Sequence, residues 1–219
     1  MWSIVVAGGS GQRFGQLKQY AMLAGRPVLE WAVSACRAHS AGVVLVVPDG
    51  ASDDRHGADA VVSGGATRAD SVRCGLAAVP AGADVVVVHD AARPLASADL
   101  FGAVVAAVTE GGADGAVPGV PVRDTIKIVD ESGRVTNTLD RATLVAVQTP
   151  QAFRAGVLRR AHREGPTGAT DDAMLVEAVG GTVRVVPGEP GNLKITDPGD
   201  LPVAERLLTT AAGERAQSS

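Results

Sequence analysis

Ile4-Val5-Val6-Ala7-Gly8-Gly9-Ser10-Gly11-Gln12-Arg13-Phe14-Gly15-Gln16-Leu17-Lys18-Gln19 is the stretch from which the fold is read. An apolar run gives way to a glycine loop near the N-terminus, the arrangement in which a first strand feeds a phosphate-holding loop. The loop also carries an Arg and a Lys five positions apart. It is not the dinucleotide pattern G-x-G-x-x-G, because the third glycine comes one residue late and Phe14 fills its place. Glu30, near the spacing of a ribose-binding carboxylate, falls inside a helical pattern rather than at a strand end. The string G-x-x-x-x-G-K-[ST] does not occur either. What remains is a loop of small residues whose backbone N–H groups can cradle a polyphosphate. Arg13 can grip phosphate oxygens as a fork and Lys18 can act as a mobile point charge. The bland alternative is a tight turn with both cations in water.

Outward from this loop, short β-branched runs recur at Ser3–Ala7, Val43–Val47, Val61–Val62, Val85–His89, Ala116–Val117, Val145–Gln148 and Val183–Val186. Most are apolar at consecutive positions, which predicts strands covered on both faces, as in a parallel sheet. Helical patterns lie between them at Val28–His39, Thr67–Val79, Ser97–Glu110, Ala152–Arg163 and Leu201–Ala211. Thr67 with Asp70 three residues on predicts a capping box, and Ser97 an N-cap. Strand–helix alternation predicts an α/β, doubly wound fold with ligand at the carboxyl ends of the strands. One segment breaks the rhythm. Arg123–Ile128 and Val135–Leu139, with a turn at Ser132-Gly133, predict a β-hairpin of alternating polarity that projects as an arm. The tail, Gly213–Ser219, is polar and expected to fray.

Composition narrows the function. With 219 residues the chain is one large domain or two small ones, and a 46% hydrophobic content is that of a globular enzyme. A net charge of −4 and only 3% aromatic residues argue against binding a polynucleotide, which needs cations and stacking platforms. No apolar run approaches the roughly 20 residues of a membrane span, and the first run is too short for a signal peptide. Cys36 and Cys74 sit in no C-x-x-C pattern and are expected to be buried small hydrophobes in a reducing cytoplasm. The four histidines, His39, His56, His89 and His162, show no ligand spacing and are expected to be structural.

A second cluster follows the run Val85–Val88, namely His89-Asp90-Ala91-Ala92-Arg93-Pro94. Asp90 falls just past the end of a predicted strand, where such sheets bind ligand. A lone carboxylate facing a polyphosphate suits Mg²⁺, which pairs one or two carboxylates with substrate phosphates. A cap or turn role is the plainer reading of Asp90.

In order along the chain stand Ala7–Arg13 with Lys18-Gln19-Tyr20, Gly64-Gly65-Ala66-Thr67-Arg68-Ala69-Asp70-Ser71-Val72, Val88–Pro94, Pro121–Lys127, Asp140-Arg141, Gln148-Thr149-Pro150-Gln151, Thr170-Asp171-Asp172 and Asn192–Thr196. Taken together these strings resemble the 2-C-methyl-D-erythritol 4-phosphate cytidylyltransferases of the non-mevalonate isoprenoid route. The resemblance implies a Rossmann-like, mostly parallel nucleotidyltransferase sheet in a single domain, 1–219, with a dimerising β-arm at about 122–140. It implies transfer of CMP from CTP to 2-C-methyl-D-erythritol 4-phosphate with Mg²⁺. Arg13, Lys18 and Lys194 would be catalytic, stabilising the charge that builds at the α-phosphorus. Ala7, Gly8, Gly9, Ser10 and Gly11 would wrap the triphosphate, and Gly65, Ala66 and Ser71 would read the base. Asp90 would order the metal, with Ala91 near the ribose. Arg93, Thr125, Arg141 and Thr149 would meet the acceptor, the first three from across a dimer interface.

Three departures accompany the resemblance. Leu17 replaces a proline common before the lysine, the loop between Arg13 and Lys18 is shorter than in some relatives, and Ala66 stands where a polar residue often contacts the base. Two other functions share these residues: a cytidylyltransferase acting on ribitol 5-phosphate, and a nucleotide-binding regulator without catalysis. Arg123-Asp124-Thr125 with Arg141 favours the first acceptor, and the presence of Arg13, Lys18 and Lys194 favours an enzyme. A fused cyclodiphosphate synthase, carried by some relatives, is not expected at this length.

Overall fold

The computed structural model describes residues 1–8, 17–51 and 54–217, with side chains to residue 210. Its elements in chain order are β1 (Trp2–Val6), β2 (Met22–Leu23), β3 (Arg26–Pro27), α1 (Val28–His39), β4 (Val43–Val47), β5 (Ala60–Ser63), α2 (Arg68–Ala78), β6 (Val85–Asp90) and α3 (Ala98–Thr109). Then come β7 (Gly115–Pro121), β8 (Lys127–Val129), β9 (Val135–Thr138), β10 (Val145–Val147), β11 (Gln151–Arg154), α4 (Ala155–Glu164), α5 (Asp172–Ala178), β12 (Val183–Pro187) and α6 (Asp200–Gln217).

The main sheet is mixed and mostly parallel. β1 lies between β4 and β6, and β5 extends the sheet beyond β4, all parallel. β11 enters antiparallel between β6 and β7, β10 pairs antiparallel with β7, and β12 runs parallel to it. The central strands are apolar at successive positions because each feeds two cores. Val5, Leu45 and Val87 pack under α1 and α3, with Leu29, Val33, Phe101 and Val104. Their neighbours Ile4, Val44, Val46, Val86 and Val88 pack on the opposite face with Val72, Leu76, Leu158 and Val176 of α2, α4 and α5. A third, smaller cluster joins Leu23, Val28, Ile195 and Ala204.

The capping box forms as the sequence predicts. Thr67 Oγ1 accepts from the Asp70 N–H at 3.1 Å, and Asp70 Oδ2 accepts from the Thr67 N–H at 3.2 Å. The Ser97 hydroxyl accepts from Leu100 N at the start of α3. The hairpin is also present: β8 and β9 pair antiparallel, with Gly133 at φ +81° in the turn, a conformation that favours glycine. Every residue of both strands is exposed.

Four expectations are corrected. The helix expected over Ala152–Arg163 begins only at Ala155, because Gln151–Arg154 fills the slot between β6 and β7 and buries Ala152 and Phe153 completely. β10 and β12 are apolar in sequence, yet Val145, Val147 and Val185 are exposed, since both strands lie at the end of the sheet, each paired with β7. Cys74 is only half-buried, while Cys36 is fully buried. The last helix runs on past Gly213 to Gln217, through a stretch rich in the helix formers Ala, Glu, Arg and Gln. α5, capped by the Asp171 side chain accepting from Met174 N, and the short β2–β3 ladder have no counterpart in the sequence reading.

Close approach of α2 to the sheet depends on Gly75. A Cβ there would lie 2.6 Å from Ile4 Cγ2 and 3.0 Å from Val46 Cγ2, both in the packed core. Gly75→Ala is expected to destabilise the fold by about 1–3 kcal/mol through overpacking, despite the better helix propensity of alanine. Denaturant unfolding checks this, and an unchanged or raised midpoint would contradict it.

Candidate active site

The carboxyl ends of β1 and β6 open onto a cleft of about 380 Å³. Ala7 and Gly8 continue β1 into it, and Asp90, Ala91 and Ala92 continue β6. Gly65, Ala66 and Ser71 close a third side, and Lys18 and Lys194 enter from the fourth. Residues from five separate stretches of chain therefore meet where a doubly wound sheet binds ligand. Gly9, Ser10, Gly11 and Arg13 lie outside the described residues.

This third side is closely fitted. The Ser71 hydroxyl accepts from Gly65 N at 3.2 Å, and a Cβ on Gly64 or Gly8 would come within 2.7 or 3.1 Å of that oxygen. Gly65 and Ala66 remain exposed at the cleft. Ala66 brings no polar side chain to this wall.

Asp90 is the acidic residue among those lining the cleft. Its side chain is only 12% exposed, and its Oδ2 accepts from Lys194 Nζ at 2.7 Å. Arg68 Nε reaches Oδ1 at 3.4 Å. Burial alone would push this carboxyl up; the Arg68 and Lys194 charges outweigh it and hold Asp90 well below the usual carboxylate range. The group is an anion at any physiological pH. Among the described residues no three His, Cys, Asp or Glu side chains cluster as a metal site. A single ionised carboxylate suits a divalent ion that brings phosphate and water as its other ligands.

Asp90 is aimed by a hydrogen-bond chain behind it. Its N–H donates to Thr149 Oγ1 at 3.0 Å, and Thr149 Oγ1 lies 3.1 Å from His89 Nδ1. His89 Nε2 is 3.0 Å from the Arg93 carbonyl, which can only accept. Nε2 therefore carries the proton, Nδ1 accepts, and the Thr149 hydroxyl donates to it. Thr149 is 4% exposed, so its hydroxyl supports the site from within rather than lining the cleft. His89, fully buried, is structural as the sequence suggests.

The two lysines converge on one short segment although they stand near opposite ends of the chain. Lys18 Nζ donates to the Ile195 carbonyl at 2.9 Å, one residue beyond Lys194. That segment is laced to the end of β6, since Ile195 N donates to Ala92 O at 2.8 Å and Arg93 Nη1 to Asn192 O at 2.7 Å. Arg93 is therefore fixed to the body of its own chain and does not sit on the arm with Thr125 and Arg141.

A second cleft of about 350 Å³ adjoins the first. Arg93, Arg123, Gln148, Asn192 and Lys194 line it, so Lys194 borders both spaces. Arg141 Nη1 donates to the Arg123 carbonyl at 2.8 Å, which places it behind this second cleft at the root of the arm. Thr125 is exposed and lines neither cleft. Arg68 is the residue to which the sequence reading gives no role: it lines the first cleft and pairs at 2.7 Å with buried Asp172.

A family model described as 2-C-methyl-D-erythritol 4-phosphate cytidylyltransferase matches residues 1–210. The chain is 47% identical to the 2-C-methyl-D-erythritol 4-phosphate cytidylyltransferase of Rubrobacter xylanophilus, over 97% of this chain and 96% of that protein. It is 44% identical to the bifunctional enzyme IspD/IspF of Clavibacter michiganensis, covering 99% of this chain but 56% of that one, so it spans about half the length of such relatives. The crystal structure of 2-C-methyl-D-erythritol 4-phosphate cytidylyltransferase from Thermus thermophilus superposes with a TM-score of 0.78 at 36% identity, over 94% of this chain and 98% of that one.

Burial pushes His89 down to about 4 from its ordinary 6.5, the neighbouring Asp90 charge offsetting only part of that. Between those two values the unfolded chain binds more protons than the folded one, so stability falls as pH is lowered through that window. A loss of about 2 kcal/mol from pH 7 to pH 5 is expected from this group. Unfolding at both values, with imidazole NMR to follow the Nε2–H tautomer, checks it. A His89 that titrates near 6.5 would refute the hydrogen-bond chain.

Proposed function

The chain belongs to the 2-C-methyl-D-erythritol 4-phosphate cytidylyltransferase family and is a nucleotidyltransferase, and we propose that it joins CTP to 2-C-methyl-D-erythritol 4-phosphate. The products would be 4-diphosphocytidyl-2-C-methyl-D-erythritol and pyrophosphate, in isoprenoid precursor biosynthesis. The observation that carries this reading is Lys194, which borders both the cleft beneath the β1 and β6 ends and the neighbouring cleft of Arg93 and Arg123. One ammonium is thereby in reach of two anions held side by side.

The chemistry follows from that juxtaposition. An oxygen of the acceptor's phosphate attacks the α-phosphorus of CTP, forming a new P–O–P link while the bond to the bridging oxygen of the leaving pyrophosphate breaks. The nucleophile has a second pKa of about 6 and is largely ionised at neutral pH, so no general base is required. The task is to hold two anions together and to stabilise the added charge on the phosphoryl oxygens. Lys18 and Lys194, with Arg13 from the glycine loop, supply that charge. Ala7 and Gly8, with Gly9, Ser10 and Gly11, offer backbone N–H groups to the triphosphate, while Gly65, Ala66 and Ser71 bound the base and Ala91 the ribose. Asp90 would hold Mg²⁺ against the phosphates, and that ion, when bound, would neutralise part of the triphosphate charge.

On the acceptor side Arg93 lines the second cleft within its own chain, while the Thr149 hydroxyl lies behind Asp90. Thr125 and Arg141 would complete an acceptor site in a second copy of the chain, with the exposed β8–β9 arm clasping the partner. The apolar, uncovered Ile128, Val129 and Val135 on this arm support that reading.

Pyrophosphate release with CTP and Mg²⁺ is expected with methylerythritol 4-phosphate and not with ribitol 5-phosphate. Release with ribitol phosphate alone would keep the nucleotide half of the reading and reject the acceptor half. Lys18→Ala is expected to lower kcat by about 10²–10³-fold with the fold intact. Light scattering should return a dimer; a fully active monomer would eliminate the shared site.

A further inference from the structure

Arg68 opens α2 at the wall of the first cleft, with its side chain 27% exposed. Its guanidinium is divided between two carboxylates. Nη1 donates to Asp172 Oδ2 at 2.7 Å, and Nε lies 3.4 Å from Asp90 Oδ1. Asp172, the first residue of α5, has a side chain only 1% exposed, and its other oxygen lies 2.9 Å from His162 Nε2 on α4. The rear of the guanidinium is therefore clamped by a buried anion that is itself held from a third element. Its front faces Asp90, whose opposite oxygen is held by Lys194 at 2.7 Å.

That geometry matters once the site works. For Lys194 to reach phosphate it must leave Asp90, and Arg68 is then the side chain that still holds this buried carboxylate while Oδ2 turns to the ion and phosphates in the cleft. We propose that Arg68 is a positioning residue for Asp90: braced by Asp172, it fixes Oδ1 so that Oδ2 stays aimed into the cleft after Lys194 moves to substrate. This rests on the cleft being the CTP site. Arg68 needs its forked shape for the task. One nitrogen serves Asp172 while another serves Asp90, whereas a lysine's single nitrogen would have to stand within reach of both carboxylates.

The competing role is purely structural, with Arg68 present only to neutralise buried Asp172. Arg68→Lys separates the two, because it keeps the neutralising charge and removes the second contact. Calorimetric titration of CTP with Mg²⁺, without acceptor, should show about tenfold weaker binding for R68K than for the unmodified chain, with little change in thermal midpoint. In an Asp90→Asn background the same substitution should produce no further loss, since the group being positioned is gone. Asp172→Asn, which keeps a hydrogen-bond partner for His162 but releases the brace, should also weaken CTP only when Asp90 is present. It serves as the second variant should R68K fail to fold. CTP affinity unchanged in R68K, or losses that add in full to those of Asp90→Asn, would overturn the proposal and leave the cleft's assignment standing. An unmodified chain that does not bind CTP would remove both.

Discussion

The site depends on the balance of charge at one buried carboxylate. Asp90 sits at the end of the central strand β6, where burial opposes ionisation and two cations impose it. A buried charge without partners is costly, so the segments carrying those cations are held in place by the same attraction that ionises the acid. Lys194 arrives from the loop before α6 and Arg68 from the start of α2. The floor under both is the hydrogen-bond chain through Thr149 and His89. Asp90, Thr149 and His89 are tolerated at this depth because each finds partners there.

The scaffold sets this local balance in a cleft. Parallel strands point their carboxyl ends the same way, so Ala7 and Gly8 after β1 and Ala91 and Ala92 after β6 open on one cleft. The 192–195 segment threads across that opening and is tied to residues 92 and 93 by backbone and guanidinium hydrogen bonds. Lys18 is fastened to the same segment from the far side of the chain. The result is positive charge gathered at one end of the sheet, where it would stabilise a developing negative charge.

What is legible in the sequence is what local chemistry dictates. The Thr67–Asp70 capping box, the Ser97 cap, the two-sided strands and the glycine turn of the arm each depend on residues a few positions apart. The departures come from long-range packing. Gln151–Arg154 has no strong strand pattern and is extended because a slot between β6 and β7 receives it, with Phe153 filling the space left by Gly115. Arg68 lies inside a recognisable motif yet has no task legible there, since its partners are 22 and 104 positions away. The Asp171-Asp172 pair is the available signal: one caps α5, and the other, spare and acidic, needs a cation. The motif position of Thr149 suggests a ligand contact, and it does not reveal that the hydroxyl is already engaged on both sides.

Strands that feed two cores carry a cost in alignment. In a half-exposed sheet, slipping a strand by one residue turns its apolar face to water, and the pattern itself forbids the error. β4 reads Val-Val-Leu-Val-Val and β6 begins with four valines, so a one-residue slip leaves every inward position apolar. Hydrophobicity thus selects the sheet without selecting its alignment. The ends of the strands do that instead. The Ser3 and Ser40 hydroxyls bond at 2.6 Å at one end of β1, Asp59 takes the Val43 N–H at 2.8 Å, and His89 and Asp90 find their partners only in one frame. His89 and Asp90, at the site, thus share the proofreading of strand pairing with Ser3, Ser40 and Asp59 away from it. Replacing them with apolar isosteres would leave the layers intact and remove the penalty against misaligned, kinetically trapped sheets.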